Sequence, residues 1–314
     1  NVRRVMEKAW HLATTGRQGP VWIEVPLDIQ SSMIEPHLLK GFSSPPSIDR
    51  SAELKGLVSK FYEMIATSKR PIILAGNGIR SAMAKEKFLQ LAELFKIPVA
   101  TTWKAIDFMD EDHPLFIGRP GIAGQRGANI SQQTADLFIS IGARLDHGQT
   151  AFNHANFAKR AKKIIIDIDA GEIEKMDFDI DCAINFDALE VINELLVQYK
   201  PVKDFSSWLT RCKERQKKYP VVIADYWKQK KLVNNYVFID ALSEVMKSSD
   251  LLVPGSSGTC SEVTMQAFRV KKGTRVFNSE GLGAMGFGIP AAIGACVASQ
   301  NRRTICVDGD GGFI

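Results

Sequence analysis

Between residues 48 and 198 the chain alternates short apolar runs with longer amphipathic ones, and this restricts its fold more than any other feature. Residues 71–75, 97–101, 135–141, 163–168 and 182–186 read as strands, because each is a short apolar run bounded by polar or turn-forming residues. Residues 51–67, 82–94 and 187–199 carry apolar side chains at helical spacing. Strands that alternate with helices are joined by crossovers, so neighbouring strands run parallel and the helices cover both faces. The expected fold class is α/β, with parallel sheets flanked by helices.

The flanks divide the rest. Residues 2–14 read as a helix and 21–26 as a strand ended by Pro26. One helix and one strand cannot bury a core, so residues 1–30 are expected to be the tail of an earlier domain. Residues 31–47, with Ser43, Ser44, Pro45 and Pro46, read as a linker. Residues 48–198 form the central α/β domain, and 199–232 a charged helical connector. Residues 233–314 read as the first half of a second α/β domain. There Asn235 is expected to cap a helix running to Met246. Residues 251–253 and 303–307 are expected strands, and 284–299 a Gly- and Ala-rich helix. The chain opens on Asn1 and stops at Ile314 after a glycine-rich turn, so it is expected to be a piece of a longer protein.

Composition excludes several classes. Apolar residues make up 45% and charged residues 24%, as in an ordinary globular protein. The net charge of +5 is small for 314 residues, and the basic side chains are dispersed, so a nucleic-acid footprint is not expected. No apolar run reaches the length of a membrane span, and no signal peptide opens the chain. The five cysteines lie far apart without a Cys-x-x-Cys pair, which speaks against a zinc site or a disulfide framework and for a reducing cytoplasm. Cys306 is expected to be a small buried core residue. His113, His147 and His154 stand without a nucleophile motif and are read as loop or surface residues.

Three runs carry the chemistry. In Ile305-Cys306-Val307-Asp308-Gly309-Asp310-Gly311-Gly312 a strand delivers a carboxylate among glycines at its carboxyl end, where open α/β sheets bind ligands. Glycines bring backbone amides close to phosphate, and an Asp there can hold a hard cation that also binds phosphate oxygens. This run alone is equally compatible with a plain turn. The second run extends from Asn278 through Gly281, Gly283, Met285, Gly286, Gly288 and Pro290 to Gly294. Close packing of a helix on a sheet accounts for Gly288, Ala291, Ala292 and Gly294, but not for Gly281, Gly283 and Met285 on the entering loop. The third, Val253-Pro254-Gly255-Ser256-Ser257-Gly258, places small and hydroxyl residues after a strand, where they suit phosphate oxygens.

In this order and spacing the three runs resemble the cofactor domain of thiamine-diphosphate enzymes, most closely the acetolactate synthase family. The phrase Gly-Leu-Gly-Ala-Met-Gly-Phe-Gly-Ile-Pro-Ala-Ala-Ile-Gly-Ala followed by Val-Asp-Gly-Asp-Gly is specific to that group. Upstream, residues 19–28 are similar to the end of its pyrimidine-binding domain. Residues 70–78, 135–144 and 166–169 are similar to its central domain, so the resemblance spans the chain. It implies that Asp310 ligates Mg2+ and that Gly309, Gly311 and Gly312 shape the loop around metal and diphosphate. It implies further that Gly255, Ser256 and Ser257 face the diphosphate. The Gly283 carbonyl would accept from the aminopyrimidine amine, and Met285 would hold the cofactor bent, so that the amine reaches the thiazolium proton. The cofactor then attacks a 2-oxo acid such as pyruvate and stores the electrons left by decarboxylation. A homodimer or homotetramer is implied, because the family's cofactor lies between subunits. Acyl transfer to another acceptor, such as a sugar ketone or a sulfonated aldehyde, stays open. So does a non-catalytic nucleotide-binding module.

The family's central domain holds FAD. Gly142, Arg144, Asp146 and Glu172 match positions that face the flavin, but His147-Gly148 replaces an Asp-Arg pair and Arg119-Pro120-Gly121 departs from the usual loop. Losing that Arg removes a partner for the flavin phosphates, so FAD and a purely structural domain both stay open. Gly76-Asn77-Gly78 lacks the third glycine of a dinucleotide fingerprint. Asp167 and Asp169 are read as structural. No catalytic residue is expected within these residues. The Glu that activates the cofactor would precede Asn1, Glu24 and Glu280 being in the wrong places, and a second metal-binding Asn would follow Ile314. The 314 residues alone are therefore expected to be inactive; measurable decarboxylation of pyruvate by this purified stretch would contradict that.

Overall fold

The computed structural model describes residues 1–46, 48–255, 258–279, 281 and 283–313. Strands β1 (Pro71–Ala75), β2 (Val99–Thr101), β3 (Leu137–Ile141), β4 (Lys162–Ile166) and β5 (Cys182–Ile184) form one sheet in the order β2-β1-β3-β4-β5. All its pairings are parallel, with Ile73 opposite Ile139 and Ile139 opposite Ile164. Successive side chains point to opposite faces. Ile73, Ile139 and Ile164 pack with Phe61, Phe88 and Leu195 of the helices Ser51–Thr67, Lys85–Phe95 and Ala188–Val197. Ile72, Leu74, Phe138 and Ile165 pack on the other face with Trp208 and Cys212.

Those last two residues belong to the helix Ser206–Lys218, within the stretch read as a connector. This helix covers the first sheet, and the Trp208 indole donates to the Pro71 carbonyl at 2.9 Å. It rests on the helix Arg126–Thr134, which polar composition hid from the sequence reading. The two approach closely at Gly127, where a Cβ would stand 2.8 Å from the Arg215 carbonyl oxygen.

Strands β6 (Leu251–Pro254), β7 (Arg275–Val276) and β8 (Thr304–Val307) form a second parallel sheet in the order β7-β6-β8. Two buried charges tie it to the first. Arg119, 1% exposed, donates to the carbonyls of Met265 at 2.7 Å and Phe268 at 3.0 Å and pairs with Glu111 at 3.2 Å. Asp107 accepts from Arg80, from Arg275 at 2.8 Å and from the Val276 amide at 3.0 Å. Among the described residues no helix is long and apolar enough to cross a membrane.

Several expectations change. Residues 21–26 form no strand, and Trp22 is 90% exposed. A strand needs a neighbour to satisfy its backbone, and none of the described strands pairs with this segment. Glu24 therefore lies on an irregular segment, not on a strand. The helix Asn235–Val245 is capped by Asn234, whose side chain accepts from the Tyr236 amide, and not by Asn235. Cys306 is half-buried, not a core residue. Gly294 has open space where a Cβ would go, so helix packing does not account for it. The short β7 was not foreseen, because two residues carry no periodicity.

Burial pushes the Asp107 carboxyl up, but Arg80, Arg275 and the Val276 amide more than offset this and hold it below the usual carboxylate range. A carboxyl depressed in the folded state stabilises above its unfolded value and loses that contribution as pH falls through the folded one. Asp107→Asn is expected to cost about 3 kcal/mol at neutral pH and to remove about one proton from the acid-linked loss of stability below about pH 4. Urea titrations at a series of pH values check both.

Candidate functional site

The parallel pairing of β6 with β8 brings their carboxyl ends together, with Pro254 opposite Val307 and the Gly255 amide donating to the Val307 carbonyl at 2.7 Å. The loops after these strands leave side by side. The helix Gly288–Ala298 packs across both strands and starts at the same place.

Asp308 occupies the junction. A Cβ on Gly255, Gly288 or Gly312 would collide with its carboxylate, so three separate segments close on it only because each presents a glycine. Its Oδ1 accepts from the Gly309 amide at 2.9 Å. Its buried Oδ2 accepts from no described group. Two residues on, Asp310 is exposed and begins the single helical turn Asp310–Phe313. One carboxylate of the Asp-Gly-Asp run thus faces inward to hold the loops, and the other faces out.

Gly281, Gly283 and Gly286 have φ of +104°, +56° and +82°, values that side-chain-bearing residues rarely adopt, so this loop follows a path reserved for glycine. It delivers Met285, 74% exposed, beside the Asp310 turn, where a Cβ on Gly311 would lie 3.3 Å from the Met285 sulfur. Of the residues singled out from the sequence, Gly255, Gly283, Met285, Gly309, Asp310, Gly311 and Gly312 belong to loops that converge on this one edge. Ser256 and Ser257 lie outside the described residues. Sequence reasoning gave Asp308 no role; the glycines at 255, 288 and 312 were its signal, unreadable until they met.

The donor set suits a phosphate-bound hard cation. Among the described residues no group of three or more His, Cys, Asp or Glu can hold a metal. A cation at Asp310 would take its other ligands from phosphate, backbone and water oxygens, which is the habit of Mg2+. Burial and the Asp308 charge push the Cys260 and Cys306 thiols up, so neither is a ready nucleophile.

In the first sheet the strand order reverses between β1 and β3, the usual crevice for a nucleotide. There the Gly76–Gly78 and Gly142 loops touch, with the Gly78 amide donating to the Gly142 carbonyl at 2.9 Å. Gly142 and Arg144 have φ of +57° and +58°. Arg144 pairs with Glu172 at 3.1 Å, and Glu172 also binds Arg17 and Lys175. Burial pushes the Glu172 carboxyl up, but Lys175 and Arg17 outweigh it and hold it low. Asp146 caps the turn His147–Thr150 by accepting from the Gln149 amide. Asp169 caps the helix Ala170–Glu174 and pairs with Arg17 at 2.6 Å. The positions matched to a flavin site thus engage one another and their own backbone. His113 lies 3.1 Å from Glu93, His154 3.3 Å from Asp177, and His147 stacks on Phe152, so each is engaged locally.

Residues 58–195 match the central domain of thiamine pyrophosphate enzymes, and residues 256–314 their C-terminal TPP binding domain. The chain is 36% identical to a probable acetolactate synthase large subunit of Methanocaldococcus jannaschii, over 98% of this chain and 53% of that protein. It is 32% identical to acetolactate synthase isozyme 1 large subunit of Escherichia coli K12, over 99% of this chain and 53% of that one. With the chloroplastic acetolactate synthase 1 of Zea mays it shares 33%, over 100% and 49%. The chain spans about half the length of these relatives.

The Asp308 junction makes its own prediction. Gly288→Ala forces the Asp308 carboxylate aside and is expected to cost about 1–3 kcal/mol, part of which Asp308→Ala in the same chain restores. Urea midpoints of the single and double variants measure it.

Proposed function

We propose, for a chain that belongs to the thiamine pyrophosphate enzymes, that the full protein is a thiamine-diphosphate- and Mg2+-dependent enzyme of the acetolactate synthase kind. Its substrate is pyruvate or a similar 2-oxo acid, and it decarboxylates the acid and joins the acyl unit to an acceptor. The observation that carries this reading is the convergence of three glycine-bearing loops at the β6–β8 edge, with Asp310 exposed beside Met285. The names of the relatives support it.

When bound, thiamine diphosphate supplies the electron sink that lets a 2-oxo acid lose carbon dioxide. This chain's residues bind and orient. Asp310 holds the cation that neutralises the diphosphate. Gly255, Gly309, Gly311 and Gly312 would let the backbone come close to its oxygens, and Ser256 and Ser257 would add hydroxyl donors. The Gly283 carbonyl would accept from the aminopyrimidine, and Met285 would pack against the cofactor. Because Asp308 holds Gly255, Gly288 and Gly312 together before anything binds, less ordering remains to be done at the moment of binding. The subunits pair around the cofactor as a homodimer or homotetramer in the cytoplasm. In the central domain Glu172 and Asp169 engage Arg17, Arg144 and Lys175, so these cations are partnered within the protein.

The test is decarboxylation of pyruvate by the full-length protein with and without thiamine diphosphate and Mg2+. Turnover is expected only with both. Asp310→Ala is expected to lower it on the order of 100-fold or more, the several kcal/mol that a bound cation contributes. Absence of cofactor binding by the full-length protein would instead make it a non-catalytic module.

A further inference from the structure

We infer that Asp107, a buried residue of the first domain, is a positioning residue for the cofactor loop that carries Gly283 and Met285. The inference rests on the functional reading above. Asp107 lies in the 3-10 segment Trp103–Phe108, which follows β2, and its side chain is 1% exposed. Its carboxylate engages three groups: the Arg80 guanidinium of its own domain, and the Arg275 guanidinium and Val276 amide of β7. The same segment grips the chain again just beyond β7. The Asn278 side chain donates to the Trp103 carbonyl at 3.2 Å, and Lys104 donates to the Asn278 carbonyl. Asn278 is 3% exposed, and only four residues separate it from Gly283.

Strand β7 is two residues long and lies at the edge of its sheet, paired to β6 through Leu251 and Leu252. So short a strand fixes little by its own ladder. The path from Arg275 to Asn278 is held by two backbone bonds, from Arg275 to Asp250 just before β6 and from Phe277 to Leu252 of β6, and by the contacts that cross from the first domain, and this path aims the left-handed loop after it. A buried carboxylate with two guanidiniums and an amide has one low-energy arrangement, since moving β7 would leave charge unpaired away from water. Asp107 thus fixes where the Gly283 carbonyl and the Met285 side chain stand relative to the Asp310 turn, without touching the cofactor.

The test uses the full-length protein, with thiamine diphosphate titrated calorimetrically at fixed Mg2+ and the near-ultraviolet circular dichroism of the bound cofactor recorded. The variants are Asp107→Asn, Arg275→Met and Arg275→Lys. Arg275 is 31% exposed, so its replacement is the milder change and carries the test if Asp107→Asn does not fold. Asp107→Asn and Arg275→Met are expected to weaken thiamine diphosphate binding about tenfold and to alter the dichroism of the bound cofactor at saturation. Arg275→Lys, which keeps a cation at the carboxylate, is expected to recover most of the affinity. A merely structural contact would lower the melting temperature and leave affinity and dichroism of the folded protein unchanged, and that result overturns the inference. A wild-type protein that does not bind the cofactor overturns the functional reading with it.

Discussion

At the carboxyl edge of the second sheet, three stretches of chain meet on one carboxylate. Asp308 leaves β8 pointing inward, and Gly255, Gly288 and Gly312 stand where any side chain would strike it. The contact sets the distance between the loop after β6, the start of the helix Gly288–Ala298 and the turn at Asp310. Glycines crowd together there, and one acidic side chain, Asp310, is left facing out. The buried Oδ2 keeps spare acceptor capacity at the centre of the junction.

Ile106 of the first domain packs in one core with Leu252, Val263 and Val276, and the first domain also sends two buried charges across. Arg119 gathers carbonyls at the end of the helical segment that starts after Gly258, and Asp107 holds β7 ahead of Gly283 and Met285. Each anchors the distal end of an element whose near end approaches the Asp308 junction. Buried charge is costly unless fully paired, so such anchors tolerate little displacement.

Much of this was legible in the sequence. The strands of the first sheet and the helices Val2–Thr14 and Ser51–Thr67 appear where periodicity places them, because buried parallel strands are nearly continuous apolar runs and covering helices repeat at 3.6 residues. The glycine-bearing loops were legible because positive φ and close approach demand glycine wherever the fold puts them. Residues 21–26 misled because an apolar β-branched run is only half of a strand, the other half being a neighbour. The helix Arg126–Thr134 was hidden because its contact with Ser206–Lys218 is made by backbone at Gly127 rather than by an apolar stripe.

Local chemistry in the sequence determined the α/β class, the parallel sheets and the three loops whose residue types suit a diphosphate and a hard cation. These depend on spacing and side-chain type over a few residues, which the sequence states directly. Tertiary structure alone decided that Asp308 and Asp310 divide their work, one inward and one outward. It also decided that Arg119 and Asp107 act across domains, and that Glu172 is paired with cations from three separate segments. Most of these contacts join residues distant in sequence, and whether a charge is buried and what pairs with it are properties of the folded neighbourhood, not of the residue.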